Sequence, residues 1–183
     1  MSASTFFGDP NLFNQLKARM KFETFCAGKN IEEAGSVPRR LFIIEKGVIR
    51  VFYRSEGREI CCHFAKEGEI MTGIDSFFTG KPSIYTSQAL EETHCYSLTS
   101  EQLEWAFDNI PSMDRFGRKF ITAAYIELVE RYNSVVSMSA QERYEQFMSE
   151  KPDLLNRVPL GYVASYLGMT QETLSRIRGK KTA

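Results

Sequence analysis

The stretch PLGYVASYLGMTQETLSRIR, residues 159–178, decides how the C-terminal part of the chain is expected to fold. Pro159 suits a first helical position, where its missing N–H has no partner to lose. Gly168 can take the left-handed backbone that ends a helix, and Thr170 can cap the next helix. Apolar inner-face positions are Val163, Leu167, Leu174 and Ile177. Because Ala164 lets two helices cross closely, the stretch predicts a helix-turn-helix.

The second helix of this pair carries polar residues on its outer face. They are Gln171, Glu172, Ser175, Arg176 and Arg178. Arginine pairs with guanine, glutamine with adenine, and glutamate accepts from the cytosine amine. A surface helical hairpin without a nucleic-acid role is the alternative. The pattern favours DNA binding over that alternative.

Composition and charge limit the classes to which the protein can belong. The chain has 183 residues, 43% hydrophobic and 25% charged, which is enough for one large or two small globular domains. The formal net charge is zero, so no global field attracts nucleic acid. Beyond Leu155 the cations are Arg157, Arg176, Arg178, Lys180 and Lys181, against Glu172 alone. This basic tail fits a local DNA footprint, although a solvated terminus has the same composition.

Targeting and metal signals are weak in this sequence. Neither a signal peptide nor a membrane-spanning apolar run is recognisable, so we expect a cytoplasmic protein without a membrane partner. The four cysteines form no C-x-x-C and are expected to be reduced thiols. We expect no metal site, and His63 and His94 are expected to be structural or surface residues rather than haem ligands.

The N-terminal two thirds of the chain contain one change of sequence pattern, from helical spacing to short alternating segments. Residues 1 to about 30 resemble a short helical segment that ends at Gly28. From Ile31 to Leu98, short alternating segments are separated by turn signals, as at Ser55 to Gly57. Short strands at nearly regular spacing predict an antiparallel barrel or jelly roll.

A long helix with an apolar seam is expected after Pro111. Its seam residues follow a spacing of four, three, four and three: Ile121, Tyr125, Leu128, Tyr132 and Val135. The apolar stripe is wider than one partner needs, which favours pairing with a second copy over burial within one chain. Capping signals at Thr99 and Ser139 begin the helices on either side of it.

The order of these elements resembles the Crp/Fnr superfamily of bacterial transcription regulators. Three stretches carry the resemblance: EKGVIRVFYRSEGREI (45–60), FAKEGEI (64–70) and VPLGYVASYLGMTQETLSRIR (158–178). It implies an α+β fold with an N-terminal antiparallel β-roll, flanking helices, a long dimerisation helix and a C-terminal helix-turn-helix. The expected divisions are a cyclic nucleotide-binding-like effector domain (1–110), the dimerisation helix (111–137) and a DNA-binding domain (138–183).

The resemblance also implies a function. A homodimer would place one recognition helix, residues 170–179, in the major groove of each half of a palindromic duplex site. The candidate DNA-binding residues are Thr170, Gln171, Glu172, Thr173, Ser175, Arg176, Arg178 and Lys180. A small-molecule effector would bind in the β-roll.

Two departures from the family pattern concern the effector and the C-terminus. Members that bind cyclic AMP hold its phosphate with an arginine followed by a small residue, where this chain has Ser83 and Ile84. The candidate effector pocket comprises Gly68, Glu69, Lys81, Ser83, Ile84 and Tyr85. Since a desolvated cyclic phosphate needs a cation such as arginine, cyclic AMP is disfavoured and the effector is open. The usual β-wing after the recognition helix is expected to be missing.

Other classes of function fit less well. A cupin-like oxygenase needs two or three histidines converging on a metal, and the two histidines here are thirty-one residues apart, at positions 63 and 94. We therefore expect no enzyme activity and no cofactor. A ligand-binding module that regulates a partner protein is the remaining alternative, but it leaves the helix-turn-helix without a use.

Overall fold

The computed structural model describes residues 10–181, and their backbone divides into two compact units. The first unit contains the chain up to Arg54 together with Cys62–Arg118. The second contains Ser55–Cys61 and the chain from Lys119 onward. The division falls within the long helix rather than at its start.

The first unit contains two four-stranded sheets. The strands are β1 (Lys21–Phe25), β2 (Asn30–Glu32), β3 (Arg40–Lys46), β4 (Ile49–Ser55), β5 (Arg58–Ala65), β6 (Ile70–Met71), β7 (Thr86–Ala89) and β8 (Thr93–Thr99). The end of β4 and the start of β5 fall in the Ser55–Cys61 segment of the second unit. The strand orders are β1-β8-β3-β6 and β2-β7-β4-β5. The predicted antiparallel sheets with flanking helices are thus confirmed.

Strand β3 lies at the centre of the packing, because both of its faces are buried. Phe42 and Ile44 pack with Ile49 and Cys95 between the sheets. Since side chains alternate along a strand, Leu41 and Ile43 point the other way, into a second cluster formed with helices. The sequence of β3 is therefore continuously apolar and does not alternate between apolar and polar residues.

Helices cover the outer face of β3. The helices of this unit are α1 (Pro10–Lys17), α2 (Ile74–Thr79), α3 (Ser100–Asn109) and the start of α4 (Met113–Ser137). Leu12, Leu16, Leu103 and Met113 pack together in the cluster that contains Ile43. The predicted cap of α3 is confirmed, since Thr99 and Gln102 exchange backbone and side-chain hydrogen bonds as a capping box.

The expected helical segment at the N-terminus requires a correction. Within the described residues the helix ends at Lys17, and Lys21–Phe25 forms β1, which pairs antiparallel with β8. The edge of β8 supplies hydrogen-bond partners for this segment, and that long-range pairing outweighs the weak helical spacing that extends to Met20. Residues 1–9 lie outside the described part of the chain.

Gly47 is required by the turn between β3 and β4. Its φ is +109°, and an added Cβ would lie 2.4 Å from the Thr93 hydroxyl oxygen. The Gly47 N–H donates to the Glu67 carboxylate at 2.7 Å. A larger residue would therefore meet both backbone strain and a clash.

The second unit is helical. It contains most of α4, then α5 (Ala140–Glu150), α6 (Leu154–Arg157), α7 (Leu160–Tyr166) and α8 (Gln171–Lys181). The predicted capping box of α5 is confirmed between Ser139 and Glu142. Buried side chains on these helices are Tyr144, Phe147, Leu154, Val163, Ala164, Leu167 and Leu174. Helix α4 is 25 residues long and lies within the expected range 111–137.

Candidate functional site

The first unit encloses a small cavity against the β2–β7–β4 side of the roll, called here the β-roll cavity. Its lining residues are Glu32, Ser36, Pro38, Val51, Met71, Thr72, Gly73, Ser83, Tyr85 and Ser87. The space open to the centre of a water molecule is about 20 Å³. A single water needs roughly 10–15 Å³ by this measure, so the closed cavity has room for one or two waters.

Backbone-to-side-chain hydrogen bonds assemble the polar side of this cavity. The Glu32 N–H donates to the Ser87 hydroxyl at 3.1 Å, and the Tyr85 N–H donates to the Ser83 hydroxyl at 3.1 Å. The Ser83 N–H donates to the Ser36 carbonyl at 2.8 Å. Because these bonds fix the segments that carry Glu32, Ser83 and Ser87, the cavity wall is set by backbone pairing.

Glu32 gives the cavity its electrostatic character. Burial raises the pKa of its carboxyl to about 7, and the nearby charge of Arg40 only partly opposes this. Arg40 itself donates to the Glu23 carboxylate at 2.5 Å. Burial also raises the pKa of Tyr85, the other ionisable group in the lining. The lining residues include no lysine, arginine or histidine.

The predicted effector residues fall into three groups. Ser83 and Tyr85 line the β-roll cavity. Gly68 and Glu69 form the turn before β6, where the Gly68 N–H donates to the Ile44 carbonyl at 2.9 Å and the Glu69 carboxylate accepts from the Lys66 N–H at 3.1 Å. The side chains of Lys81 and Ile84 are exposed and are not in the lining.

Sequence reasoning missed Glu32, Thr72, Gly73 and Ser87 as cavity residues. The sequence pattern that could have indicated one of them is the alternation in β7, where Ser87 lies between the half-buried Thr86 and Gln88. A polar residue at an inward position of a jelly roll indicates an internal polar surface. Glu32 has no comparable local signal, because its position depends on pairing with residues near position 87.

A second candidate site is the pair formed by α7 and α8, called here the helix pair. The turn between them contains Gly168 at φ +65°, the left-handed conformation that the sequence predicts. The Thr173 N–H donates to the Thr170 hydroxyl at 3.2 Å, so Thr170 caps α8 as expected. Ala164 and Leu174 are buried, and they fix which face of α8 is turned away from solvent.

The predicted DNA-reading residues lie on the opposite face of α8. The side chains of Gln171, Glu172, Ser175, Arg176 and Arg178 are exposed, as is Thr170 in the turn. Thr173 is half-buried, and the side chain of Lys180 lies outside the described residues. The pKa of Glu172 is lowered by its own backbone N–H and by the Thr170 hydroxyl. This is the expected effect of a helix N-terminus on a carboxylate.

Two arginines from other helices hold the C-terminal end of α7. Arg131 of α4 donates to the Tyr166 carbonyl and lies 4.3 Å from the centre of the Tyr166 ring. Arg143 of α5 donates from Nε to the Leu167 carbonyl at 2.8 Å and from a terminal nitrogen to the Met138 carbonyl at 2.6 Å. Cations at a helix C-terminus satisfy its last carbonyls, so these side chains fix the turn that precedes α8.

A hairpin segment also binds α7 within the second unit. The Ser165 hydroxyl accepts from the Cys61 N–H at 2.9 Å and donates to the Glu59 carbonyl at 3.2 Å. The helix pair is thus anchored at its first helix. None of these anchoring residues has a local sequence signal.

The predicted seam of α4 is exposed along its whole length. Tyr125, Leu128 and Tyr132 each keep about two thirds of their surface open to solvent, at 66%, 65% and 66%. Ile121 and Val135 are also exposed, and so are Ile126 and Val136. Exposed apolar residues in one continuous stripe are unusual for a solitary soluble helix and indicate an interaction surface.

None of the helices formed by residues 10–181 is long and apolar enough to cross a membrane. Within this range, His, Cys, Asp and Glu side chains form no group of three or more with the arrangement of a metal site. The four cysteines are free thiols.

One family model matches the N-terminal part of the chain. Residues 22–109 match the family model of the cyclic nucleotide-binding domain. The sequence matches none of the curated proteins with which it was compared.

Solved structures extend the likeness to nearly the whole chain. The c-di-GMP responsive global regulator CLP of Xanthomonas campestris has a TM-score of 0.75 at 14% identity, over 95% of this chain and 92% of that chain. FixK2 of Bradyrhizobium japonicum has a TM-score of 0.73 at 18% identity, over 88% and 83%. A CooA mutant from Carboxydothermus hydrogenoformans has a TM-score of 0.71 at 17% identity, over 91% and 78%.

These regulators define the class of fold. The chain has the fold of Crp/Fnr-type regulators, and the resemblance predicted from its sequence is confirmed at that level.

Proposed function

We propose that the protein is a homodimeric, DNA-binding transcription regulator of the Crp/Fnr type, in which the helix pair is a helix-turn-helix. The observation that carries the proposal is the two-sided character of α8. Leu174 is fully buried on one face, while Gln171, Glu172 and Arg176 are exposed on the other. Exposed groups of these types, held on a rigidly capped helix, match the requirements of major-groove readout.

The anchoring of the helix pair supports this role. Arg131 and Arg143 hold the carbonyls of Tyr166 and Leu167, and Thr170 caps the next helix. A reading helix needs a fixed angle to the groove, because base contacts tolerate little misplacement. Gln171, Glu172 and Arg176 are the proposed base-reading residues. Thr170, Thr173, Ser175, Arg178 and Lys180 are proposed to lie at the DNA backbone.

The exposed seam of α4 supports the homodimer. Two copies of a helix with apolar residues at heptad spacing bury those residues against each other as a coiled coil. Ile121, Tyr125, Leu128, Tyr132 and Val135 are the proposed interface. The resulting two-fold axis would present two copies of α8 to a palindromic site, in the cytoplasm where the DNA lies.

The first unit is the proposed effector domain, without enzymatic activity. Its cavity is lined by Glu32 and by no lysine, arginine or histidine, so it is poorly suited to a cyclic phosphate. CLP is described as c-di-GMP responsive, but the chemistry of this cavity gives no reason to extend that response to the present chain. Titration calorimetry with cyclic AMP is expected to show no binding in the micromolar range.

Selection from a random duplex pool tests the function directly. Purified protein at two salt concentrations should recover a palindrome whose half-sites are about one helical turn, roughly 10 base pairs, apart. Recovery of no sequence at low salt, with cyclic nucleotides also added, would contradict DNA binding. That result would favour a ligand-binding module that regulates a partner protein.

Sedimentation velocity tests the dimer independently of DNA. Leu128→Glu places a charge in the centre of the seam and is expected to shift the protein from dimer to monomer. Glu130→Gln, at an exposed position on the same helix, is the matched control and should remain dimeric. A Leu128→Glu protein that sediments as wild type would exclude the α4 seam as the interface.

A further inference from the structure

We propose that Gly161 of α7 is a specificity-determining residue of the helix pair, because its missing side chain leaves the space in which the Gln171 side chain lies. The proposal rests on the proposed function, since it concerns how α8 presents one of its base-reading groups. Gly161 acts through Gln171 and does not itself contact a base, so it is a positioning residue.

The Gln171 side chain reaches from the start of α8 to the first turn of α7. A Cβ atom placed on Gly161 would lie 3.1 Å from Gln171 Oε1 and 4.0 Å from Gln171 Cδ. At that separation the Gln171 amide must give way by a few tenths of an ångström. The amide therefore occupies space that exists because residue 161 is a glycine.

The backbone of α7 gives no other reason for this glycine. Gly161 lies in the first turn of a helix and is not one of the glycines with a positive φ. Glycine is less favourable than alanine in a helix, because it loses more conformational freedom on folding. Apart from the adjoining part of α7, the described atoms within 4 Å of an added Cβ both belong to Gln171. The contact with Gln171 is therefore what an alanine at this position would disturb.

Two other helical glycines show how Gly161 differs. An added Cβ on Gly117 of α4 would lie 2.9 Å from a ring carbon of Phe107, so that glycine serves the packing of an aromatic side chain. An added Cβ on Gly179 of α8 would have no described neighbour within 4 Å. Gly161 instead faces the polar end of an exposed side chain. A substitution there changes the placement of a functional group rather than the packing of the core.

The placement of the Gln171 amide matters for base reading. A glutamine amide recognises adenine through both of its ends, because Oε1 accepts one hydrogen bond and Nε2 donates another. Ordering a long side chain at an interface costs conformational entropy, and a side chain that is already placed avoids part of that cost. Displacing the amide from α7 changes its orientation and its freedom, so the preference at its base pair should change.

The effect should be confined to one reading residue. The Glu172 carboxylate interacts with its own backbone N–H and with the Thr170 hydroxyl, both at the start of α8. Arg176 lies more than one helical turn further along α8. Neither Glu172 nor Arg176 comes within 4 Å of a Cβ on Gly161. The base pairs read by these two residues should therefore keep their preferences when Gly161 is replaced.

Selection from the random duplex pool tests the proposal with wild type, Gly161→Ala, Gln171→Ala and the double variant. The base pair that loses its preference in Gln171→Ala is the one that Gln171 reads. Gly161→Ala should change the preference at that same base pair by about fivefold, the lower end of what one good base contact supplies. In the double variant, Gly161→Ala should add nothing to the Gln171→Ala profile. Wild-type preferences in Gly161→Ala or in Gln171→Ala would overturn the proposal, and so would an equal effect of Gly161→Ala in both backgrounds.

Gly179→Ala is the matched control, because it makes the same glycine-to-alanine change at an open helical position. It should keep the wild-type preference at the base pair that Gln171 reads. Neither alanine variant should lower the Tm, since alanine favours the helix over glycine. The same change of preference in Gly179→Ala would show a general effect of replacing a helical glycine and would overturn the role of Gly161.

Nuclear magnetic resonance tests the contact without DNA. The side-chain amide resonances of Gln171, identified by their loss in Gln171→Ala, should shift in Gly161→Ala and not in Gly179→Ala. If Gly161→Ala fails to fold, the wild-type spectrum decides. A nuclear Overhauser effect should connect the Gly161 Hα protons with the Gln171 side chain, and its absence would exclude the contact.

The wild-type selection separates this proposal from the proposed function. A palindrome recovered by wild type and unchanged in Gly161→Ala leaves the regulator intact and removes only the role of Gly161. Recovery of no sequence by wild type contradicts the regulator and the specificity role together, even where the resonance shifts establish the contact between Gly161 and Gln171.

Discussion

The β-roll cavity and the helix pair each contain a glutamate, and the two carboxylates behave in opposite ways. Glu32 lies among cavity residues, and burial raises its pKa to about 7. Glu172 lies exposed in the first turn of α8, where backbone N–H groups lower its pKa. Desolvation therefore dominates the pKa of Glu32, whereas surface hydrogen bonding dominates that of Glu172.

The two sites also differ in how the chain assembles them. Glu32 and Ser87 are 55 positions apart and meet only because β2 pairs with β7. The helix pair lies within residues 160–181 and needs distant residues only for its anchors. A change in one site should therefore leave the other largely intact.

The largest expected effect is the loss of packing in the helix pair. Leu174 is fully buried, and Leu174→Ala should lower the free energy of unfolding of the second unit by about 2–5 kcal/mol. Far-ultraviolet circular dichroism follows the helices, and fluorescence of Trp105, the single tryptophan, follows the first unit. The circular dichroism transition should move to lower denaturant, with the fluorescence transition unchanged.

A matched change in the first unit should give the reverse pattern. Phe42 is fully buried between the sheets, and Phe42→Ala should move the fluorescence transition. If either variant shifts both transitions equally, the two units unfold as one cooperative body, and the independence of the two sites fails.

Arg176→Ala should weaken binding to the selected palindrome by roughly 1–3 kcal/mol and relax its preference at one base position. Arg178→Ala should instead weaken binding to all sequences and reduce the salt dependence by about one ion. Electrophoretic mobility shifts at several salt concentrations distinguish the two. Equal losses on specific and random duplexes for Arg176→Ala would show that it contacts phosphate rather than a base.

The helix pair was predictable because its signals are local. Pro159, Gly168 and Thr170 mark helix ends by their own backbone chemistry, and Ala164 and Leu174 follow helical spacing. The seam of α4 was predictable for the same reason. Arg131 and Arg143 were not, because nothing in their immediate neighbours shows that the end of α7 lies beside them.

The cavity was predictable only in part. Ser83 and Tyr85 were expected from the resemblance, and both line the cavity. The position of Glu32 in the cavity lining was not expected, because the sequence pattern predicts that a glutamate between Ile31 and Glu33 in a short strand is solvated. Its partial burial depends on the pairing of β2 with β7, two strands that are distant in sequence. A short-range sequence pattern does not reveal such a pairing.

Glu32 should make the stability of the protein fall as pH rises. Its pKa is raised in the folded state, so the folded protein holds a proton that the unfolded chain releases between about pH 4.5 and pH 7. Between these two pH values, the free energy of unfolding of wild type should fall by roughly 1–2 kcal/mol relative to that of Glu32→Gln. This figure allows for the partial exposure of the Glu32 side chain. Denaturation at pH 5 and pH 8 measures the difference, and a constant difference would contradict the raised pKa.

The smallest expected effect concerns the cap of α8. Thr170→Ala removes the acceptor of the Thr173 N–H and should cost about 1 kcal/mol of stability, measured by chemical denaturation. Thr170→Ser keeps the acceptor oxygen and should be close to wild type; a serine variant as unstable as the alanine one would exclude the cap as the cause. Because a hydroxyl carries no charge, the salt dependence of DNA binding should not change in either variant. A lower affinity with an unchanged salt dependence would then show that the Thr170 hydroxyl serves DNA binding as a neutral group, and loss of helical circular dichroism in the alanine variant would distinguish fraying of the first turn of α8 from loss of a direct contact with the DNA backbone.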